Sequence, residues 1–333
     1  MNCFRKAAAA TLALLLVLPV FSGGVRAEGF GVLSAEGSQT PSAAPSAAPG
    51  KQHPPTAGDL EIETVKNIAV TGTFAGADAD GDVLTYQIRT SPKKGEAVVT
   101  PDAPGHFIYT PKENKTGSDS FTYVAVDTAG NVSAAATVKV RITKNAAKMT
   151  YADMEGNPAH LAAIRLAEKG VLIGQRLGAD YYFSPAQTVT RGEFVALAVT
   201  CLGIPVPNAT VTGFADDADT AAWLRPYAAA ARRAGLISGS PLSDGRTAFC
   251  ANREITLAEA AVILANALDL PGAVAAQDFG DMADVPVWAE GAVYASLAAG
   301  LMETRSDGSI GVLGRMDRAT AAQLLYAAMK MQR

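Results

Sequence analysis

One pattern occurs three times after residue 148, and it constrains the fold of this chain more than its composition does. It opens on an aromatic residue, a small residue and an aspartate: Tyr151-Ala152-Asp153, Phe214-Ala215-Asp216 and Phe279-Gly280-Asp281, spaced 63 and 65 residues apart. Seven residues after each Asp stands a ring: His160, Trp223 and Trp288. An Ala-rich helical periodicity follows, with Trp223, Leu224, Tyr227, Ala230 and Ala231 on one apolar face in the second copy. Each of these helices is predicted to stop at a glycine: Gly170 before Val171-Leu172-Ile173-Gly174, Gly235 before Leu236-Ile237-Ser238-Gly239, and Gly300 before Leu301-Met302. A Gly there supplies the left-handed C-cap. A second helix then opens at Thr190, Thr256 and Asp317, all natural N-caps. Glu193 and Glu259 complete a capping box in the first two copies, and Thr320 stands in that place in the third. The spacing predicts three helix–loop–helix units over 148–206, 211–270 and 276–333. Units of this size cannot bury an apolar face alone and must share a core.

The first half has a different texture. Residues 1–27 read as a secretory signal: Arg5 and Lys6, then an apolar run from Ala7 to Phe21, then Val25-Arg26-Ala27 as a small-x-small cleavage site. Residues 28–57 are rich in Ser, Ala, Pro and Gly and read as an extended linker. Over 58–143, short runs that alternate apolar and polar residues are separated by turn signals, as in His106-Phe107-Ile108-Tyr109-Thr110 and Ala136-Thr137-Val138-Lys139-Val140-Arg141-Ile142. This period of two predicts a β-sandwich. The expected architecture is therefore multidomain: an all-β sandwich followed by an all-α repeat domain.

The β segment carries Asp78-Ala79-Asp80-Gly81-Asp82, Gly105-His106-Phe107-Ile108-Tyr109-Thr110-Pro111, Gly117-Ser118-Asp119-Ser120-Phe121-Thr122-Tyr123 and Asp127-Thr128-Ala129-Gly130-Asn131 in that order. It resembles bacterial cadherin-like or Ig-like repeats, which implies a spacer or adhesive module. Asp78, Asp80 and Asp82 could offer oxygens to calcium, but Arg89 stands where an EF-hand loop needs its last carboxylate. No other cofactor is expected.

The repeated segment, with its Phe183-Ser184-Pro185 and its Thr-Arg start at Thr190-Arg191, resembles three consecutive S-layer homology domains. The resemblance implies a pseudo-threefold helical assembly. Its grooves would bind a secondary cell-wall polysaccharide, often through an acidic ketal-substituted sugar. Carried onto this chain, the residues implied are Arg191, Arg318, Asp153, Asp216, Asp281, Trp223 and Trp288. Free amides at a helix start and an Arg fork suit an acidic ligand, and an indole suits the apolar side of a sugar. Leu257 takes the arginine's place in the second copy, which predicts a weakened groove there. The three Asp could equally brace the first helix, the two Trp could be core, and His160 reads as a partly buried structural residue.

Composition narrows the partners. Lys+Arg is 28 against Asp+Glu 32, and loss of the signal's three basic residues leaves 25 against 32. That balance argues against nucleic acid. No second membrane-length apolar stretch follows the signal, so no membrane span is expected after cleavage. Cys201 and Cys250 could pair in an oxidising compartment or remain separate thiols. The sequence reading is thus a secreted, noncovalently wall-anchored surface protein that is not an enzyme. A structural S-layer subunit and a wall-bound enzyme are the alternatives. No Gly-x-Ser-x-Gly, His-Glu-x-x-His or Walker loop is present.

Overall fold

A computed structural model describes residues 53–101, 103, 105–272, 279–305 and 307–332. The signal and nearly all of the linker read from the sequence lie outside them.

The β segment contains β1 (Thr56–Ala57), β2 (Leu60–Val65), β3 (Val70–Thr73), β4 (Gly76–Ala77), β5 (Thr85–Thr90), β6 (Gly95–Val99), β7 (His106–Pro111), β8 (Gly117–Val126) and β9 (Ala136–Thr143). One sheet has the order β2-β9-β8-β5 and a second β3-β7-β6. All neighbours are antiparallel except β2 and β9, which run parallel. The inward positions of both sheets meet in one core of Phe74, Phe107, Tyr109, Phe121, Tyr123, Val138, Val140 and Ile142. The period-two pattern requires this arrangement, because alternate residues of a strand share a face. Tyr123 keeps its ring in that core while its hydroxyl bonds Gly58 O at 2.5 Å and Ala75 O at 2.8 Å. The first strand pair is thereby tied to β8.

Six α-helices follow among the described residues: α1 (His160–Glu168), α2 (Arg191–Cys201), α3 (Arg225–Arg233), α4 (Leu257–Ala267), α5 (Glu290–Ala298) and α6 (Arg318–Met331). Two hairpins lie between paired helices, β10 (Gln175–Leu177) with β11 (Asp180–Tyr182), and β12 (Ser240–Pro241) with β13 (Thr247–Ala248). The expected caps are present. Thr190 accepts from Glu193 N, Thr256 from Glu259 N and Asp317 from Thr320 N. The first helices end as the sequence requires: Gly170, Gly235 and Gly300 have φ of 70°, 76° and 68°. The next residue's amide in each case reaches back to the helix, Val171 N to Leu166 O, Leu236 N to Ala231 O and Leu301 N to Ser296 O.

Each first helix packs on a second helix of another unit: α3 on α2, α5 on α4 and α1 on α6. At the centre, three buried residues close a cycle of backbone hydrogen bonds. Val189 N donates to Met316 O (3.0 Å), Met316 N to Ile255 O (3.0 Å) and Ile255 N to Val189 O (3.1 Å). The amides that open the second helices are also used between units. Arg191 N and Gly192 N donate to Arg253 O and Ala251 O, Leu257 N and Ala258 N to Gly314 O and Val312 O, and Arg318 N and Ala319 N to Gln187 O and Pro185 O. The free helix-start amides expected from the sequence are therefore engaged by the protein itself.

The sandwich and the helices share a seam. Val65 and Ile68 are buried in the same apolar cluster as the helical core. Arg165 of α1, with 13% of its side chain exposed, bonds Glu63, Glu168 (2.8 Å) and Thr143 Oγ1 (2.9 Å). Glu168 also accepts from Ala146 N at 2.9 Å. A cation held this way joins β2, β9 and α1. Replacing Arg165 by Ala leaves Glu168 buried without its counter-ion and should cost about 3 kcal/mol. Scanning calorimetry of the full chain checks it: we expect a lowered and broadened transition in Arg165→Ala as the two parts uncouple.

Candidate functional site

Each repeated aspartate does one job three times. Asp153 accepts from Phe183 N (2.8 Å) and Ser184 N (2.6 Å). Asp216 accepts from Phe249 N and Cys250 N, both at 2.7 Å. Asp281 accepts from Ile310 N (2.7 Å) and Gly311 N (2.6 Å), with Val312 N at 3.3 Å. The carboxylate thus pins the loop ahead of the second helix across about thirty residues of its own unit. At the pinned corner Ser184, Cys250 and Gly311 all have positive φ, 57°, 56° and 75°. Two adjacent amides point at one carboxylate there, a geometry that favours a left-handed residue. The three Asp hold the site together from behind.

The pinned corner carries a second triplet: Phe183, Phe249 and Ile310, each fully buried or nearly so. Against it lies the first residue of the neighbouring unit's second helix. Arg318 sits 4.9 Å over Phe183, and its Nε donates to Phe183 O at 2.7 Å. Arg191 sits 6.0 Å over Phe249. Leu257 and Ile310 occupy the remaining pair, so ring and cation are replaced together.

The two arginines differ in what surrounds them. Arg191 is only 8% exposed, Nη1 lies 3.3 Å from Glu259, and Glu259 also pairs with Arg253. Burial alone would raise the Glu259 pKa, but Arg253 and Arg191 hold it below the ordinary carboxylate value. Arg318 is half-buried and makes no salt bridge with any described carboxylate; Glu193 is the strongest charge acting on it. Gln187 stands near it where Arg253 stands near Arg191. Burial lowers the Arg318 pKa, opposed by Glu193, Tyr151 and Asp153, and an arginine so placed stays cationic.

Arg318 lines a pocket of about 280 Å³ with Val171, Leu197, Glu193, Thr188, Trp223 and Tyr227. The structure therefore brings together Arg318 and Trp223 and leaves Arg191 outside, sequestered by Glu259. Trp223 and Trp288 are 58% and 61% exposed, so neither is core. Both precede their helices, because α3 and α5 begin at Arg225 and Glu290. Trp223 and Tyr227 stand edge to face, with centroids 6.4 Å apart. His160 is partly buried against Tyr151, and burial lowers its pKa. Tyr227, Glu193 and Gln187 were not singled out as ligand contacts by sequence, because the pocket draws on three units at once.

In the sandwich, Asp78, Asp82 and Asp127 each offer a carboxylate oxygen within 4.8 Å of the others, and these three could hold a cation. Asp80 is not among them; it accepts from His53 N and lies 3.1 Å from the His53 ring nitrogen. Three oxygens are fewer than the roughly six to eight that calcium takes. Cys201 and Cys250 are not disulfide-bonded, and burial raises the Cys201 thiol pKa to about 11.

The aspartate pincer makes a pH prediction. Burial would raise the Asp281 pKa, but three backbone N–H groups lower it below the ordinary value. A carboxylate with a depressed folded pKa stabilises the fold above its unfolded pKa and loses that contribution as pH falls through the folded value. Asp281→Asn should therefore cost about 2 kcal/mol at neutral pH. The gap to the wild type should narrow on acidification past the ordinary carboxylate range, as measured by urea unfolding at a series of pH values.

Comparison with known proteins agrees with this division. Residues 52–144 match the bacterial cadherin-like domain family, and residues 278–322 match the S-layer homology domain family. The chain is 27% identical over 186 residues to an amylopullulanase of Thermoanaerobacterium thermosulfurigenes, covering 54% of this chain and 10% of that protein. It is 26% identical over 187 residues to the exoglucanase XynX of Acetivibrio thermocellus, covering 55% of this chain and 16% of the relative. The chain thus spans only a small part of these curated relatives. Among solved structures, the SrpA adhesin of Streptococcus sanguinis aligns with 39% of this chain and 83% of its own, at 20% identity and a TM-score of 0.25. Drosophila N-cadherin EC1-4 aligns with 30% of this chain and 26% of its own, at 12% identity and a TM-score of 0.23. Scores this low do not establish a shared fold. No helix among the described residues is long and apolar enough to cross a membrane. The chain carries a bacterial cadherin-like domain followed by an S-layer homology domain, and the latter marks it as a cell-wall or cell-surface protein.

Proposed function

We propose that this chain anchors itself noncovalently to an acidic secondary cell-wall polysaccharide through the pocket at Arg318. All three helix–loop–helix units act as S-layer homology repeats in a pseudo-threefold assembly. The cadherin-like sandwich is displayed as a spacer or adhesion module. The single observation that carries the reading is the placement of Arg318. It is a half-buried guanidinium in no salt bridge with a described carboxylate, beside two aromatic rings in a pocket of about 280 Å³. A desolvated cation of this kind favours an anionic ligand, and the planar fork matches a carboxylate. Trp223 and Tyr227 supply faces for the apolar side of a sugar ring.

One pocket is expected to do the binding. Arg191 is already salt-bridged to Glu259, and Leu257 carries no charge. We also propose that the pocket binds without catalysis. The one carboxylate among its described lining residues, Glu193, accepts from Thr190 N and Oγ1 at 2.8 and 2.9 Å, whereas glycoside hydrolysis ordinarily needs two carboxyl groups flanking the bond. Glycan release by the purified chain would overturn that part.

Co-sedimentation with purified cell-wall sacculi tests the site. Arg318→Ala should weaken binding at least about tenfold, the scale of one charge-assisted pair. Arg318→Lys should fall between, because it keeps the charge and loses the fork. Arg191→Ala should leave binding of the folded protein unchanged while lowering its melting temperature, because Glu259 loses one of its two counter-ions. Equal binding by Arg318→Ala and wild type would remove the site.

A further inference from the structure

The charges of the sandwich are sorted by position. Residues 53–59, 76–84 and 127–135 contain no Lys or Arg, and they hold Asp59, Asp78, Asp80, Asp82 and Asp127. Lys66, Lys93, Lys94, Lys112, Lys115 and Lys144 all lie in or beside the turns of the other end. Strand direction puts them there. β5 begins at Thr85 opposite Val126 and ends at Thr90 opposite Thr122, so the acidic loops flank one end of this pair and the turn after β5 lies at the other. β8 begins at Gly117 opposite Ile142, and β2 ends at Val65 opposite Thr143, which adds the turns before β8 and after β2 to that second end.

Hydrogen bonds join these turns into one surface. Lys112 N donates to Lys94 O at 2.8 Å, Asn114 N to Asn67 Oδ1 at 2.7 Å, and Lys66 N to Thr143 O at 2.9 Å. Lys94 Nζ donates to Thr116 O and Lys112 Nζ to Lys93 O, both at 3.0 Å. Thr116, Gly117 and Lys144 line one surface depression. Lys93, Lys112, Lys115 and Lys144 are exposed, and Lys66 and Lys94 partly so.

Six lysines meet three carboxylates there, Glu96, Glu113 and Asp119. Asp119 already accepts from Tyr109 Oη, Lys93 N and Lys94 N. None of the six ammonium groups is in a salt bridge with a described carboxylate. The acidic end does not cancel them. The ten residues of β8 separate the two ends by about 30 Å, and charges are screened over about 8 Å at physiological ionic strength.

The basic end is also the one joined to the helices. Lys66 stands between Val65 and Ile68, which are buried in the helical cluster, and Lys144 follows Thr143, which bonds Arg165. Lysine is a mobile point charge without a fixed fork. A surface of such charges suits a flexible polyanion met at many points.

We infer that the base of the sandwich is a second contact for the wall, at which these lysines attract the anionic polysaccharide along its length without a pocket. This rests on the polysaccharide-anchor reading above and extends it to a different domain. The sandwich then adds to retention on the wall and turns its acidic end outward.

Co-sedimentation of the full chain with purified sacculi across a salt series tests it. Lys93→Gln, Lys115→Gln and Lys144→Gln combined should weaken binding about tenfold at low ionic strength. At about 1 M salt, where screening acts within about 3 Å, the variant should bind as the wild type does. The three side chains are exposed and make none of the Nζ bonds above, so the melting temperature should not change. The corresponding Lys→Glu variant should lose more. Wild-type binding by the Gln variant at low salt would overturn the contact, and so would an equal loss at every salt concentration. Salt-sensitive binding that persists on sacculi stripped of the polysaccharide would overturn the assigned partner. Failure of the pocket reading looks different: Arg318→Ala would bind as wild type at every salt concentration while the Gln variant still lost affinity at low salt, which leaves the lysine contact standing. A wild type that never sediments with sacculi would overturn both.

Discussion

The helical half depends on three backbone hydrogen bonds. Val189, Ile255 and Met316 are each buried, at 3%, 0% and 2% exposure, and each donates to one of the others and accepts from the third. Buried amides and carbonyls must be paired, and water cannot reach these. No unit can satisfy its own member, so each needs the other two in place. The six amides that open the second helices obey the same rule, because each donates to a carbonyl of another unit. The sequence shows three similar units; the polar groups of their backbones require that they be folded together.

That closure decides where the side chains can act. Because these helix-start amides are engaged by the protein, the ligand site proposed above draws on side chains at the rim. Two arginines occupy equivalent first-turn positions, yet of the two only Arg318 lines the 280 Å³ pocket. The difference lies in neighbours drawn from other units. Glu259 and Arg253 close over Arg191, whereas Glu193 and Gln187 leave Arg318 without a salt bridge. Glu259 is also a capping-box residue, so a group present for helix stability determines whether the adjacent arginine is available.

Much of this was legible in the sequence, and the remainder was illegible for a definite reason. The caps at Thr190, Thr256 and Asp317 and the glycine stops are local, and local geometry is fixed by nearby residues. The sandwich was legible because period-two burial repeats over many strands. Of the two readings of the tryptophans, the core one fails: Trp223 fits a helical apolar face by spacing, but α3 and α5 start two residues after Trp223 and Trp288, and both rings are exposed. The aspartate pincer joins residues about thirty apart and leaves no periodic trace. Arg191 and Arg318 could not be separated by motif, since both open a second helix. One signal was available: Phe183, Phe249 and Ile310 change in step with Arg318, Arg191 and Leu257, so the arginine's ring partner could have been read across units.

The paired replacement at Leu257 and Ile310 also explains how one unit can lose its charge without loss of fold. An arginine over a phenylalanine gains from dispersion and from the ring's quadrupole, but its guanidinium must then be neutralised or left facing water. Leucine against isoleucine fills similar space and asks for no counter-ion, and Thr320 stands where the other units have glutamate. The central hydrogen bonds run through backbone and are indifferent to the exchange. Closure therefore holds three units to one geometry while their rims diverge: one cation salt-bridged, one exchanged for an apolar residue, and one lining a pocket. In a chain with more acidic than basic residues, attraction for an anion cannot come from net charge. The attraction proposed for the Arg318 pocket rests instead on one half-buried cation, which the closed backbone holds in place.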